Sequence, residues 1–296
     1  GAITVSAGSI KLDEAGTLAS SVSMSGGTLD ADESLTLSGA LTQSGNITID
    51  VADNKTLTYS GAALNLGAST LTLSGEGRLS NSNDLVLNNA SSKLLLSSSI
   101  TVDSVRTSLA SLGLDVDANS TVSSLTVGHT TPVSIDTGKT LSGAITVTGG
   151  SIKLAETGTL ASTVSLSGGT LDADNSLTVS GTLTQSGAIT IDVADTKTLT
   201  YSGAALSLGA YTLTLSGGGT LVSGGLNLND ADSKLLLNSI TLDNVSTSAN
   251  SLGIDVDGNS TVTSLSVGHT TPVSIASGRT LSGAITVSAG SIKLGE

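Results

Sequence analysis

Short runs of alternating aliphatic and polar residues fill the chain from end to end. In the first half, a single polar residue stands between two aliphatic residues at Lys11, Thr36, Thr48, Thr72 and Ser134. An alternation of period two is typical of a β-strand that buries one face and exposes the other. Gly, Ser, Asn or Asp separates the runs. The pattern therefore predicts an all-β protein of many short strands joined by tight turns.

The strands recur about every 20 residues, which predicts the coils of a parallel β-helix, or β-solenoid. The first 142 residues divide into seven lines of about 17 to 25 residues, which start near Gly1, Ser21, Ala40, Ala62, Asn83, Ile100 and Leu125. One coil cannot bury its own aliphatic side chains, but a second coil about 4.8 Å above it pairs the strand edges and continues the inward rows. Residues 105–112 are predicted to form a protruding loop in the longest coil.

A longer repeat of about 141 residues contains these coils. Residues 1–78 align without gaps on 143–220, with 63 of 78 positions identical, and residues 283–294 repeat residues 1–12. We therefore predict repeat 1 at 1–142, repeat 2 at 143–282 and the start of a third, truncated repeat at 283–296. The three segments are expected to form one continuous rod within a longer protein.

Composition and charge exclude several classes of function. Aromatic residues make up only 1% of the chain, so the interior is expected to be a narrow slot that fits Leu and Ile but not rings. The net charge of −13 argues against nucleic acid and against anionic membrane surfaces as partners. No segment approaches the roughly 20 apolar residues of a spanning helix, so no membrane span is predicted. The absence of cysteine excludes disulfides and thiolate metal sites.

Three acidic segments recur in both repeats and are predicted to form corners: 30–33, 50–54 and 115–119, with counterparts at 172–175, 192–195 and 255–259. The last resembles the opening of an EF-hand loop, but that loop needs Gly at its sixth position and Glu at its twelfth. Ser260 and Ser266 stand there instead. We expect these acidic residues to cap turns, and no cofactor is predicted. Calcium binding is the weaker alternative, with the candidate ligands Asp115, Asp117, Asn119, Asp255, Asp257 and Asn259.

His129 and His269 occupy identical contexts, each followed three residues later by one of the only two prolines. No nucleophile motif such as G-x-S-x-G accompanies them, and the basic residues are spread over several coils. The histidines are predicted to lie in turns, and Pro132 and Pro272 at corners where the chain leaves the ladder. No catalytic residue is predicted and the chain is not expected to be an enzyme, although a polysaccharide-active β-helix enzyme remains a weaker alternative.

Threonine recurs at outward positions such as Thr4, Thr36, Thr48, Thr58 and Thr72. A threonine array on a β-solenoid can bind ice when a T-x-T motif stands in register on every coil. Coil lengths of about 17 to 25 residues argue against such a register. The hydroxyl-rich wall is therefore interpreted as a protease-resistant exterior or a glycosylation target.

The segments GTLDAD at 27–32, TLTLSG at 70–75 and GKTLSG at 138–143 resemble bacterial giant surface proteins, the filamentous-haemagglutinin and autotransporter-like exoproteins. The resemblance implies a right-handed parallel β-helix that is exported to the cell surface or secreted. It also implies a role in adhesion, in a biofilm matrix or in a filament. It carries over no functional residue.

Repetition favours a structural role, in which the chain is a spacer segment of a long extracellular fibre or stalk. The alternative is an adhesin whose surface binds glycan or a partner cell, although only Tyr211 offers an aromatic side chain without a counterpart, since Ser69 occupies its place in repeat 1. Unpaired strand edges at the two ends are expected to favour head-to-tail self-association, or stacking within a longer repeat array.

Overall fold

The computed structural model describes residues 1–294, and every regular element in that range is a β-strand. The chain divides into unit 1, Gly1–Thr146, and unit 2, which begins at Val147. The prediction of an all-β protein is confirmed. The division into repeats at 142 and 282 stays a prediction, and residues 295–296 of the third segment lie outside the described residues.

The strands of unit 1 alternate among three positions around the coil, which we call the first, second and third faces. On the first face the strands are β2 (Ser9–Leu12), β5 (Thr28–Ala31), β8 (Ile47–Val51), β11 (Thr70–Ser74), β14 (Lys93–Leu96), β16 (Gly113–Val116) and β18 (Thr131–Ile135). On the second face they are β3 (Thr17–Leu18), β6 (Leu35–Leu37), β9 (Thr56–Tyr59) and β12 (Arg78–Asn81). On the third face they are β1 (Ile3–Val5), β4 (Val22–Met24), β7 (Leu41–Gln43), β10 (Leu64–Asn65) and β13 (Leu85–Leu87).

In the last turns of unit 1, one long strand replaces the two strands of the second and third faces. β15 pairs through its first residues with β12 and through its last with β13. The strands that bend in this way are β15 (Thr101–Thr107), β17 (Ser120–Val127) and β19 (Thr140–Val147).

Unit 2 repeats this plan, and the described pairs of both units are parallel. Its first-face strands are β20 (Ser151–Leu154), β23 (Thr170–Ala173), β26 (Ile189–Val193), β29 (Thr212–Ser216), β32 (Lys234–Asn238), β34 (Gly253–Val256), β36 (Pro272–Ile275) and β38 (Ser291–Leu294). The second face has β21 (Thr159–Leu160), β24 (Leu177–Val179), β27 (Thr198–Tyr201) and β30 (Thr220–Val222). The third face has β22 (Thr163–Leu166), β25 (Leu183–Gln185), β28 (Leu206–Ser207) and β31 (Leu226–Leu228). The long strands are β33 (Thr241–Thr247), β35 (Ser260–Val267) and β37 (Leu281–Val287).

Each unit is therefore a parallel β-solenoid, as the sequence predicts. With seven first-face strands in unit 1 and eight in unit 2, the described residues make about 15 turns. Ladder partners on the first face stand 19 residues apart at Leu114 and Val133 but 24 apart at Thr48 and Thr72. This range confirms a coil of roughly 20 residues. The additional residues lie in the corners, so the ladder keeps its register.

Rows of aliphatic side chains fill the interior of both units. Alternate residues of most strands point inward, and Leu29, Val51, Leu71 and Leu94 are completely buried. Turn stacking continues each inward row, because a parallel ladder places like positions of successive turns above one another. At roughly 1.5–3 kcal/mol for each fully buried aliphatic side chain, these rows are the main stabilising term.

Two aromatic rings also lie in the interior, which corrects the expectation of a slot too narrow for them. Tyr59 and Tyr201 are only 2% and 5% exposed. The Tyr59 hydroxyl donates to the carbonyl of Ala62 at 2.6 Å and accepts from the backbone nitrogen of Leu41 at 3.2 Å. The ring fits because it lies at the corner after β9, where its polar end meets backbone groups rather than aliphatic side chains.

The predicted protruding loop at 105–112 is only partly correct. Residues 105–107 belong to β15, and Val105 and Thr107 are buried. The following residues do leave the ladder, and Leu109 and Leu112 are about half exposed. The coil that contains them is not the longest, since Lys93 and Gly113 are ladder partners 20 residues apart.

Candidate functional surface

The candidate calcium ligands lie on and just beyond the first-face strands β16 and β34, not together in a loop. Asp115 is engaged by Lys93 of the preceding turn, with Nζ and Oδ2 2.6 Å apart. Asn119 is a turn residue whose Oδ1 accepts from the backbone nitrogen of Thr140 at 3.0 Å. Asp117 is exposed, two residues beyond Asp115. Two of the three oxygen-bearing groups therefore already have protein partners.

The same arrangement recurs in unit 2. Asp255 pairs with Lys234 at 2.8 Å, and Asn259 accepts from the backbone nitrogen of Thr280 at 3.1 Å. Asp257 is exposed. Within residues 1–294, no group of three His, Cys, Asp or Glu side chains is placed to hold a metal ion. Calcium binding stays a prediction.

Several acidic residues that were predicted at corners lie instead on first-face strands and point outward. Asp30 of β5 and Asp50 of β8 are ladder partners, so their carboxylates lie one above the other. Burial raises the pKa of Asp30, and the neighbouring Asp32 raises it further. In unit 2 the pKa of Asp172 is raised by burial and then by Asp174. An acid whose folded-state pKa is raised favours its neutral form, so the carboxylates of Asp30 and Asp172 oppose folding when ionised and cease to do so on acidification.

Cations bridge successive turns and oppose this accumulation of negative charge. Seven cations each meet an acidic residue about one turn away along the chain, and this spacing is the signal that would have found these pairs in the sequence. Exposed pairs of this kind contribute about 0–1 kcal/mol each. The pairs are Lys11–Asp32, Lys55–Glu33, Arg78–Asp103 and Lys93–Asp115 at 2.6 Å, Arg106–Asp84 and Lys234–Asp255 at 2.8 Å, and Lys153 with Asp174 at 3.0 Å and Asp172 at 3.3 Å.

The two histidines are exposed and lie in turns, as predicted. The carbonyl of His129 accepts from the hydroxyl of Thr131 at 2.9 Å, and His269 has a φ of 55°. The prolines do not mark the corners themselves. Pro132 is the second residue of β18, and Pro272 opens β36 and is the ladder partner of Ser291.

The surface of unit 2 carries the one tyrosine side chain of the described residues that is not buried. Tyr211 is 37% exposed, whereas Ser69 at the equivalent place in unit 1 is 8% exposed. Exposed aliphatic side chains occur at Leu112 and at Leu252, which occupy equivalent loops of the two units. No helix in residues 1–294 has the length and apolar character required to span a membrane.

Comparison with protein-family models, with curated proteins and with solved structures finds no match to this chain. The fold is therefore assigned from the strand pairing alone, and any function must be argued from the surface described above.

Proposed function

We propose that the chain is a structural repeat segment of a long extracellular or cell-surface fibre, in which it acts as a spacer. The observation that carries the proposal is the ladder register of the first face, which persists across turns of 19 to 24 residues in both units. A solenoid of this kind gains length with each copy and needs no new contact to do so. Near-identical copies suit this role, because equivalent turns of successive copies then have the same neighbouring turns.

The charge pattern supports the same role. The cations pair with acids of neighbouring turns, and no catalytic group is needed to explain any of these contacts. The location at the cell surface, and a role in a matrix or biofilm, rest on the resemblance to bacterial exoproteins. Self-association head to tail, or stacking within a longer array, is part of the proposal.

A copy-insertion experiment tests the spacer. A further copy of residues 143–282 is inserted after residue 282, where the sequence already begins the next repeat. The seven turns of that copy are expected to lengthen the particle by roughly 34 Å, at about 4.8 Å per turn. Small-angle scattering measures the change, and a 140-residue Gly-Ser insertion is the control. Growth of the particle equally in all directions would contradict the proposal.

The exposed ring of Tyr211 favours a second candidate, an adhesin whose solenoid surface binds glycan. Sugar faces stack on aromatic rings, and Tyr211 has no aromatic counterpart in unit 1. Glycan-array binding that is lost in Tyr211→Ser but kept in Leu252→Ser, another exposed apolar position, would support this candidate. Absence of binding by the unaltered chain would exclude it. No observation specifically favours a polysaccharide-active enzyme.

A further inference from the structure

The chain returns to the first face through a corner at the end of each turn, which we call the return corner. In unit 1 it comprises the seven segments 6–8, 25–27, 44–46, 66–69, 88–92, 108–112 and 128–130. None of these segments contains an Asp, Glu, Lys or Arg residue. The charged side chains of unit 1 therefore lie on other parts of its surface.

The corner that follows the first face has the opposite character in unit 1. It carries eight acidic residues but only two basic ones. The acidic residues are Asp13, Glu14, Asp32, Glu33, Asp53, Glu76, Asp117 and Asp136, and the basic residues are Lys55 and Lys139. Surfaces of like charge repel each other, so two copies of the chain meet a barrier when they approach through this corner. The return corner presents no such barrier.

Exposed apolar side chains gather at the return corners of both units. In residues 1–280, five large apolar side chains are exposed, and four of the five lie in a return corner. The four are Leu109 at 51% and Leu112 at 56% in unit 1, and Tyr211 at 37% and Leu252 at 55% in unit 2. The fifth, Val222, ends β30 on the second face. Exposed apolar surface that is concentrated in one place, rather than scattered, marks a site of interaction.

The apolar surface of unit 1 extends over three successive turns. Ala68, Ala90 and Ala110, one from each turn, are exposed in addition to the two leucines. The backbone nitrogen of Leu112 donates to the carbonyl of Ser92 at 3.0 Å, so the ladder fixes the loop from which this side chain projects. A patch on a fixed backbone loses little conformational entropy when a partner covers it.

Unit 2 keeps the leucine but not its uncharged surroundings. Leu252 stands where unit 1 has Leu112, and its backbone nitrogen donates to the carbonyl of Ser233, also at 3.0 Å. In the preceding turn, however, Asp230 and Asp232 stand where unit 1 has uncharged residues. Two carboxylates beside an apolar contact oppose its desolvation. The comparison therefore assigns the stronger interface to unit 1.

We propose that the return corner is a lateral interface, through which two copies of this chain pack side by side. Each copy presents the same uncharged, apolar surface, so this surface can be its own partner in a symmetric contact. Charge favours a second copy as the occupant, because acidic chains repel each other least where they carry no charge. The inference rests on the proposed fibre role, since the contact of one repeat is small and recurrence along a fibre multiplies it.

Sedimentation over a range of concentrations tests the interface on the full chain, and on the chain with one further copy of residues 143–282. The double variant Leu112→Ser with Leu252→Ser removes the leucine that both return corners share. Val222→Ser is the matched control, since it removes an exposed apolar side chain from the second face. Circular dichroism verifies that each variant folds.

A second double variant tests the comparison between the units. Asp230→Asn with Asp232→Ser gives unit 2 the residues that unit 1 has at these two places. The backbone nitrogen of Asp232 donates to the side chain of Asp230 at 2.9 Å, and the equivalent bond of unit 1 is made to the oxygen of Asn89. The variant therefore keeps the local hydrogen bond while it removes both charges.

The unaltered chain is expected to associate reversibly, and the chain with the further copy more tightly. The leucine variant should weaken association several-fold, Val222→Ser should leave it unchanged, and removal of the two aspartates should strengthen it. Equal effects of the leucine variant and Val222→Ser would overturn the assignment to the return corner. A gain in neither the longer chain nor the aspartate variant would do the same.

Small-angle scattering separates this inference from the head-to-tail association of the proposed function. Side-by-side pairs should raise the mass per unit length of the particle, whereas end-to-end pairs should raise its length alone. Association that changes only the length would overturn the lateral interface. Strictly monomeric behaviour of both chains would also overturn it, while the lengthening on copy insertion would still test the spacer role.

Discussion

The corner between the second and third faces is built differently in the two units. In unit 1, residues 82–84 join β12 to β13, and Asn81 at the end of β12 is only 4% exposed. Its amide nitrogen donates to the carbonyls of Asn83 and Ser104 at 2.6 and 2.8 Å. Its oxygen accepts from the backbone nitrogens of Asp103 and Ser104 at 3.2 and 3.3 Å. One side chain thus satisfies four backbone groups.

In unit 2 the connection is one residue shorter, because the three residues Ser223, Gly224 and Gly225 stand where unit 1 has the four residues 81–84. The backbone nitrogen of Ser223 donates to the carboxylate of Asp243 at 2.9 Å. A positive φ of 111° at Gly225 makes the tighter path possible. The corner is therefore made by the backbone rather than by an amide side chain.

The shorter corner leaves a cavity of about 10 Å³ in the core of unit 2. Only two of its lining positions differ from unit 1, and both are smaller: Val179 stands where unit 1 has Leu37, and Ser223 where it has Asn81. The ladder register survives in both units. The comparison teaches that corners can change in length and chemistry while the stacked strands alone preserve the fold.

The largest effect is expected from Asn81→Ala. This variant leaves two backbone donors and two backbone acceptors without their partner, which should cost roughly 2–4 kcal/mol. Hydrogen exchange at the amides of Asp103 and Ser104 should accelerate. The matched change, Ser223→Ala, should cost about 1 kcal/mol or less, since the serine satisfies fewer groups. Equal losses in the two variants would show that the corners do not differ in the way described.

Substituting the core residue of one unit by its counterpart in the other should have the next largest effect on stability. Val179→Leu is expected to fill the cavity and stabilise unit 2, whereas Leu37→Val should cost unit 1 about 0.5–1.5 kcal/mol. Urea unfolding followed by hydrogen exchange in each unit measures both changes. A loss of stability in Val179→Leu would mean that the cavity cannot accept a methylene group.

A smaller effect is expected from the ion pair that only unit 1 has at this corner. The nitrogen Nε of Arg106 donates to Asp84 at 2.8 Å, whereas Ser246 and Gly225 occupy these places in unit 2. Both side chains are partly exposed, so Arg106→Ala should cost less than about 1 kcal/mol. The loss should diminish at high salt. A cost that is independent of salt would point instead to packing of the arginine stem.

The smallest effect concerns pH. Burial alone would raise the pKa of Asp84, but hydrogen bonds from Ser104 and Arg106 outweigh it and lower the pKa below its ordinary value of 3.8. A lowered folded-state pKa contributes stability above the unfolded value, and that stability is lost as the pH falls through the folded value. Protection of the backbone amides at the unit 1 corner against hydrogen exchange should therefore decline below about pH 4, relative to the corner of unit 2. Asp84→Asn should remove this difference, and persistence of the decline in that variant would contradict the assignment.

Much of the fold could be predicted from the sequence because burial imposes a visible period. The alternation at Ile47–Val51 and Thr70–Ser74 reports directly which side chains point inward. The bent strands could not be found in this way, since two successive outward residues interrupt the alternation at the bend. Asp103 and Ser104 between Val102 and Val105 show this, which is why residues 105–107 are wrongly predicted as loop.

The surface was less predictable, because its contacts depend on turn length. The pairing of Lys11 with Asp32 or of Arg78 with Asp103 requires the number of residues in each individual turn, which varies. Acidic residues such as Asp30 were predicted at corners because aspartate favours turns, but ladder stacking places this one on a strand.

Disulfide trapping tests the central claim, a parallel ladder whose register is independent of turn length. The chain has no cysteine, so pairs can be introduced at outward ladder partners across the 24-residue turn, Thr48→Cys with Thr72→Cys, and across the 19-residue turn, Asp115→Cys with Ser134→Cys. Parallel neighbours about 4.8 Å apart lie within the range that a disulfide can bridge. Both pairs are expected to oxidise rapidly within one chain, while Thr48→Cys with Ser97→Cys, two turns apart, should not. Failure of either adjacent pair, or equal trapping of the distant pair, would contradict the account.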